Sequence, residues 1–194
     1  MSKRLEQTAL VAISLAAGAG CVSDRYAYKY RMVEPAPPSD AMVIDDGNAK
    51  IEFAVLEKSS AFTVANKSQD PVSVLWDESS IVIGGEAKKI FHEGVKYTNR
   101  MEHQPPSVVP PGARLSDSAT PTENAFYASE VGWMVRNLFP TVILTGSGTE
   151  EARREIEGNV DKEFTLYLAL DRSGQRTNYT ARFRIESVSK IESK

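Results

Sequence analysis

The sequence predicts a mainly β protein, an immunoglobulin-like antiparallel β-sandwich over residues 49–194, with a small closed β-barrel as the alternative. Three observations lead there. Apolar residues recur with period two from about residue 49, the pattern of strands with one buried face. Turn residues interrupt them at short intervals. Helical spacing is confined to one short stretch.

Taken in order, Ile51, Phe53 and Val55 alternate with polar or small residues, and Phe62 and Val64 repeat the pattern. Asn66 to Pro71 is turn chemistry, after which Val72, Val74 and Trp76 mark another alternating strand. Ile81-Val82-Ile83 and Lys89-Ile90-Phe91-His92 flank Gly84-Gly85-Glu86-Ala87, which reads as a hairpin. Pro110-Pro111-Gly112 is a turn after Ser107-Val108-Val109. Near the end, Phe164, Leu166, Leu168 and Leu170 share one strand face, and Tyr179, Ala181, Phe183 and Ile185 share the next. Thr180, Arg182, Arg184 and Glu186 point the other way, towards water. A helix is expected at about 148–157, with Ser147 and Glu150 at capping-box spacing and Gly158 as its stop.

Composition narrows the function classes. The chain has 194 residues and a formal net charge of −3. Losing Lys3, Arg4 and Glu6 with a leader would remove two cations and one anion, giving −4. That balance argues against a nucleic-acid binder, which presents a basic face. The single cysteine permits no intrachain disulfide, and no motif implies a cofactor or a metal.

The N-terminus has the three parts of a secretory signal over residues 1–20. Lys3 and Arg4 are the positive region, Leu10 to Ala17 the apolar run, and Gly18-Ala19-Gly20 the small residues before a cut. The apolar run is far short of the roughly 20 residues that span a bilayer. Ala19-Gly20-Cys21 resembles the end of the lipobox read by bacterial lipoprotein signal peptidase, with Gly18 where such boxes usually carry Leu. The resemblance implies cleavage before Cys21, a diacylglyceryl thioether on its sulfur and acylation of the new amine. Two or three acyl chains, at about 0.8 kcal/mol per buried methylene, anchor a protein durably. In such lipoproteins an Asp after the cysteine commonly retains the protein in the inner membrane, so Val22 implies the outer one. An ordinary secretory signal with an incidental cysteine is the alternative.

Residues 21–48 are expected to be the lipidated N-terminus and a tether, because Pro35-Ala36-Pro37-Pro38 favours extended chain. Within it, Tyr26, Tyr28 and Tyr30 alternate with Ala27, Lys29 and Arg31. They suit either a short extended ladder or a position at the lipid headgroups.

Three groups of residues carry candidate chemistry. Asp77 and Glu78, beside Trp76, would form a metal or proton-transfer site with His92 if their strands paired, though the spacing is no recognised ligand pattern and His103 is the only other histidine. A polar strand end beside a buried Trp76 is the competing expectation. Lys96, Tyr97 and Arg100 suit a small anion-binding patch or a solvated loop face. In segment 125–139, Phe126, Tyr127, Trp133, Met134, Leu138 and Phe139 lack clean alternation. They would form either an aromatic contact surface or a plug at the end of the sandwich. Ser147 lacks the surroundings of a nucleophile elbow. The run Trp76-Asp77-Glu78-Ser79-Ser80, His92 to Tyr97, Arg100 and Pro110-Pro111-Gly112 resembles a pattern in uncharacterised bacterial lipoproteins. That resemblance implies no activity.

The expectation is a lipid-anchored envelope protein, more a binding or structural module than an enzyme. Its partners would be the membrane through Cys21 and another envelope protein. The rival is a metal-assisted hydrolase centred on Asp77, Glu78 and His92.

Overall fold

The computed structural model describes residues 24–143 and 149–191. The leader, Cys21 and Ser147 lie outside the described residues. The strands are β1 (Asp24–Glu34), β2 (Val43–Asp45), β3 (Ala49–Val55), β4 (Ser60–Asn66), β5 (Val72–Val74), β6 (Ser80–Ile83) and β7 (Glu86–His92). They continue as β8 (Ser107–Val109), β9 (Arg114–Pro121), β10 (Ala125–Ala128), β11 (Gly132–Val135), β12 (Val142–Ile143), β13 (Glu163–Arg172) and β14 (Gln175–Ile191). One α-helix, α1 (Thr149–Glu157), lies between β12 and β13.

The hairpins follow from their turn residues. Gly84 and Gly85, at φ +61° and +83°, join β6 to β7 in the two-residue turn that suits strand twist. Ser173 and Gly174 do the same between β13 and β14. Alternation then fixes what goes inside. Phe164, Leu166, Leu168 and Leu170 of β13 are buried, as are Tyr179, Ala181, Phe183 and Ile185 of β14. Register sets Phe164 opposite Phe183, with the rings stacked at 5.1 Å.

The main sheet is antiparallel and runs β12-β1-β14-β13-β6-β7-β9-β4-β3-β2, with β5 joining β13 to β8. It curls until its two halves face each other across one core. Phe53 of β3 meets Phe183 of β14 at 5.7 Å. The Tyr179 hydroxyl donates to Asp46 Oδ2 at 2.6 Å, tying the β2–β3 turn to β14. The mainly β, antiparallel architecture is the one expected. Because β7 pairs β6 on one side and β9 on the other, the layers are continuous, a feature shared with the barrel alternative.

Residues 24–34 correct the expected tether. They pair with β14 from Arg25 opposite Ile191 to Glu34 opposite Arg182. The reason is that β14 is 17 residues long and pairs β13 only from Gln175 to Arg184, so its remaining backbone groups need a partner. The tyrosine ladder supplies the strand's packed face. Tyr26 is buried with Ile143 and Ile156, Tyr28 donates to the Pro140 carbonyl, and Met32 enters the main core. The prolines at 35, 37 and 38 follow the end of β1.

Two smaller differences concern 76 and 125–139. Trp76 is not in a strand: β5 stops at Val74, and Trp76–Glu78 form a 3-10 turn that buries the indole. Segment 125–139 divides. Residues 125–135 form a separate β10–β11 hairpin, while Leu138 and Phe139 plug the core. No helix among the described residues is long and apolar enough to cross a membrane.

Candidate functional site

A groove of about 670 Å³ opens on the outer face of β3, β4 and β9. Strand register builds its floor in two rows. Glu52, Thr63 and Ser116 form one, and Ala54, Ala61 and Ser118 the other. The outward faces of exposed strands ordinarily carry long polar side chains, and here all but Glu52, which is paired with Lys50, are short. Thr63 Oγ1 and Ser116 Oγ share a hydrogen bond at 2.9 Å, which leaves the floor flat. Leu56 and Lys58 of the β3–β4 turn bound the groove, as do Phe91, Tyr97 and Val135.

The aromatic wall extends outward from there. Tyr97 meets Phe91 edge-on at 5.9 Å and Trp133 at 6.0 Å. Arg100 lies over the Trp133 ring at 4.8 Å, and its guanidinium also donates to the Thr122 and Tyr97 carbonyls. Tyr127 packs against Trp133, and Arg136 lies over Phe126 at 4.7 Å. The structure thus brings two of the sequence-derived groups together. Tyr97 and Arg100 join Tyr127 and Trp133 in one cation–aromatic cluster beside the groove, with Lys96 exposed next to Tyr97, while Phe126 lies on the other face of the hairpin with Arg136. Arg100 helps hold this loop through the Thr122 and Tyr97 carbonyls, as on a solvated loop face. The hairpin tip stays open, with Tyr127 63% and Val131 68% exposed.

The carboxylates and the imidazole take separate partners. Asp77 pairs with His103 Nδ1 and lies 3.5 Å from Lys89 Nζ. Partial burial pushes its carboxyl up, but His103, the Gln104 N–H and Lys89 outweigh that and hold it below the usual carboxylate range. Glu78 instead takes Arg176, at 2.6 Å. His92 stacks on Trp76, with centroids 4.3 Å apart, and Trp76 Nε1 donates to Ser107 Oγ. His92 Nδ1 is 3.2 Å from Asp117 Oδ2, outside hydrogen-bond alignment, while Asp117 Oδ1 accepts the Glu93 and Ser118 N–H groups. The arrangement positions the end of β7. Among the described residues, no three His, Cys, Asp or Glu side chains are grouped to hold a metal ion.

Sequence reasoning missed the groove floor, because short exposed side chains carry no chemical signature. It also missed Asp117, although a charge between Leu115 and Ala119 on the inward register of β9 was a signal. Comparison with protein-family models, with curated proteins and with solved structures gives no match.

Proposed function

We propose that this chain is a membrane-anchored envelope lipoprotein, lipidated on Cys21, whose β domain works by binding rather than by catalysis. The partner is another envelope component that occupies the groove over β3, β4 and β9. The carrying observation is the short-chained floor of Ala54, Ala61, Thr63, Ser116 and Ser118 beside an aromatic wall. A flat strand face walled by Tyr97 and Phe91 offers apolar contact area and main-chain proximity, with His92, Glu93 and Asp117 also in its lining. Aromatic anchors of this kind dominate binding surfaces. Support for the anchor is the leader pattern ending at Cys21, and Val22 favours the outer membrane.

The test is photo-crosslinking in intact cells from a photoreactive residue at position 97. A discrete adduct that disappears when Ser118→Tyr fills the groove supports binding there. No adduct, or one indifferent to Ser118→Tyr, refutes it. Mass spectrometry of the mature N-terminus tests the lipid separately.

A further inference from the structure

Resting on the lipidation of Cys21, we infer that the end of the domain around Arg25 is a lipid-contact surface seated in the bilayer interface. Pairing begins almost at the anchor. Arg25 pairs with both Val142 of β12 and Ile191 of β14. Between Cys21 and Asp24 run three Cα–Cα steps, which span about 11 Å at full extension. A domain on so short a leash cannot stand clear of the headgroups, whose polar zone has a comparable thickness. Some face of it must therefore rest there.

The face at that end is built for it. Val142, Arg25 and Ile191 form one cross-strand row on the outer side of the sheet. The β3–β4 turn reaches the same place, since Glu57 pairs with Arg25 at 3.6 Å and accepts the Leu138 N–H. Leu56 precedes Glu57 in that turn. Leu56, Val142 and Ile191 are 49%, 42% and 43% exposed, Val142 and Ile191 in the row with Arg25 and Leu56 in the turn tied to it through Glu57. Three cations belong to this end: Arg25 in that row, Lys58 in the turn, and Lys190, which is opposite Tyr26 on the other face of the sheet. Asp24 and Glu57 neutralise two, Asp24 by its 2.8 Å pair with Lys190, which leaves Lys58 for a lipid phosphate. Apolar side chains beside flexible cations are how a peripheral surface enters the headgroup boundary. The occupant is thus the lipid surface carrying the anchor. The same seating sets the groove upright beside the membrane, since Leu56 and Lys58 also border the groove.

Cys21 is the only cysteine, so in the lipidated protein an introduced thiol is the sole labelling site. The full chain, lipidated in a bacterial host and placed in phosphatidylethanolamine–phosphatidylglycerol vesicles, is spin-labelled singly at Leu56→Cys, Val142→Cys or Ile191→Cys. Thr177→Cys is the control, exposed and about 45 Å away along β14. Expected are severalfold greater protection from an aqueous nickel relaxant and greater access to oxygen at 56, 142 and 191 than at 177. Equal aqueous access at all four positions, with Cys21 lipidated, overturns the contact surface alone. A free Cys21 thiol by mass spectrometry overturns the anchor and this surface with it.

Discussion

Met32→Ala asks directly whether residues 24–34 are tether or structure. Met32 is 1% exposed in the main core and sits opposite Phe183 of β14. Truncation removes three side-chain atoms beyond Cβ. At about 0.8 kcal/mol for each methylene-sized group, the lost transfer energy is about 2.4 kcal/mol. Half-collapse of the vacated space leaves roughly 40 Å³, worth about 1 kcal/mol more. The sum, about 3.4 kcal/mol, is a large share of the 5–15 kcal/mol that typically stabilises a domain. With a urea slope of about 2 kcal/mol per molar, the midpoint should fall by about 1.7 M. Ala27→Ser, exposed on the same strand, should stay within about 0.5 kcal/mol of the parent. Urea titration of the full chain in detergent, followed by tryptophan fluorescence, reads both. If Met32→Ala moves the midpoint no more than Ala27→Ser does, β1 is not part of the cooperative core and the argument fails.

Two further outcomes follow from named hydrogen bonds. The Ser79 hydroxyl donates to the Leu75 carbonyl and accepts the buried Ala169 N–H, so Ser79→Ala should cost about 1–3 kcal/mol in the same titration. Asp46 is pushed up by partial burial, but Tyr179 and the Ala49 and Asn48 N–H groups hold its carboxyl below the ordinary range. A folded-state value below the unfolded one gives stability that is present at neutral pH and lost as acid takes pH down through the folded value. The stability gap between the parent and Asp46→Asn should therefore narrow from pH 7 to pH 3, and a constant gap would count against that role.

The strands were legible wherever one face meets core and the other meets water. Alternation in 163–172 and 175–191, and the glycines at 84, 85 and 174, state their geometry locally. The helix at 149–157 was legible from its spacing, since α1 occupies that stretch. The β1 strand was harder, because its alternating tyrosines and cations equally suit a headgroup position. Candidate sites were legible only as residue types. Asp77, Glu78 and His92 look like one constellation in sequence, yet Arg176 takes Glu78 from β14. Tyr97 and Trp133, 36 positions apart, look unrelated and yet touch.

By itself, then, the sequence determined the class of fold and most hairpins, because each is written in neighbouring residues. Only the tertiary structure decided that β1 pairs alongside β14, since that need arises from backbone groups about 150 residues away or more. It also decided that short side chains on β3, β4 and β9 line up into a groove. Register across three strands makes that surface, and no single strand contains it.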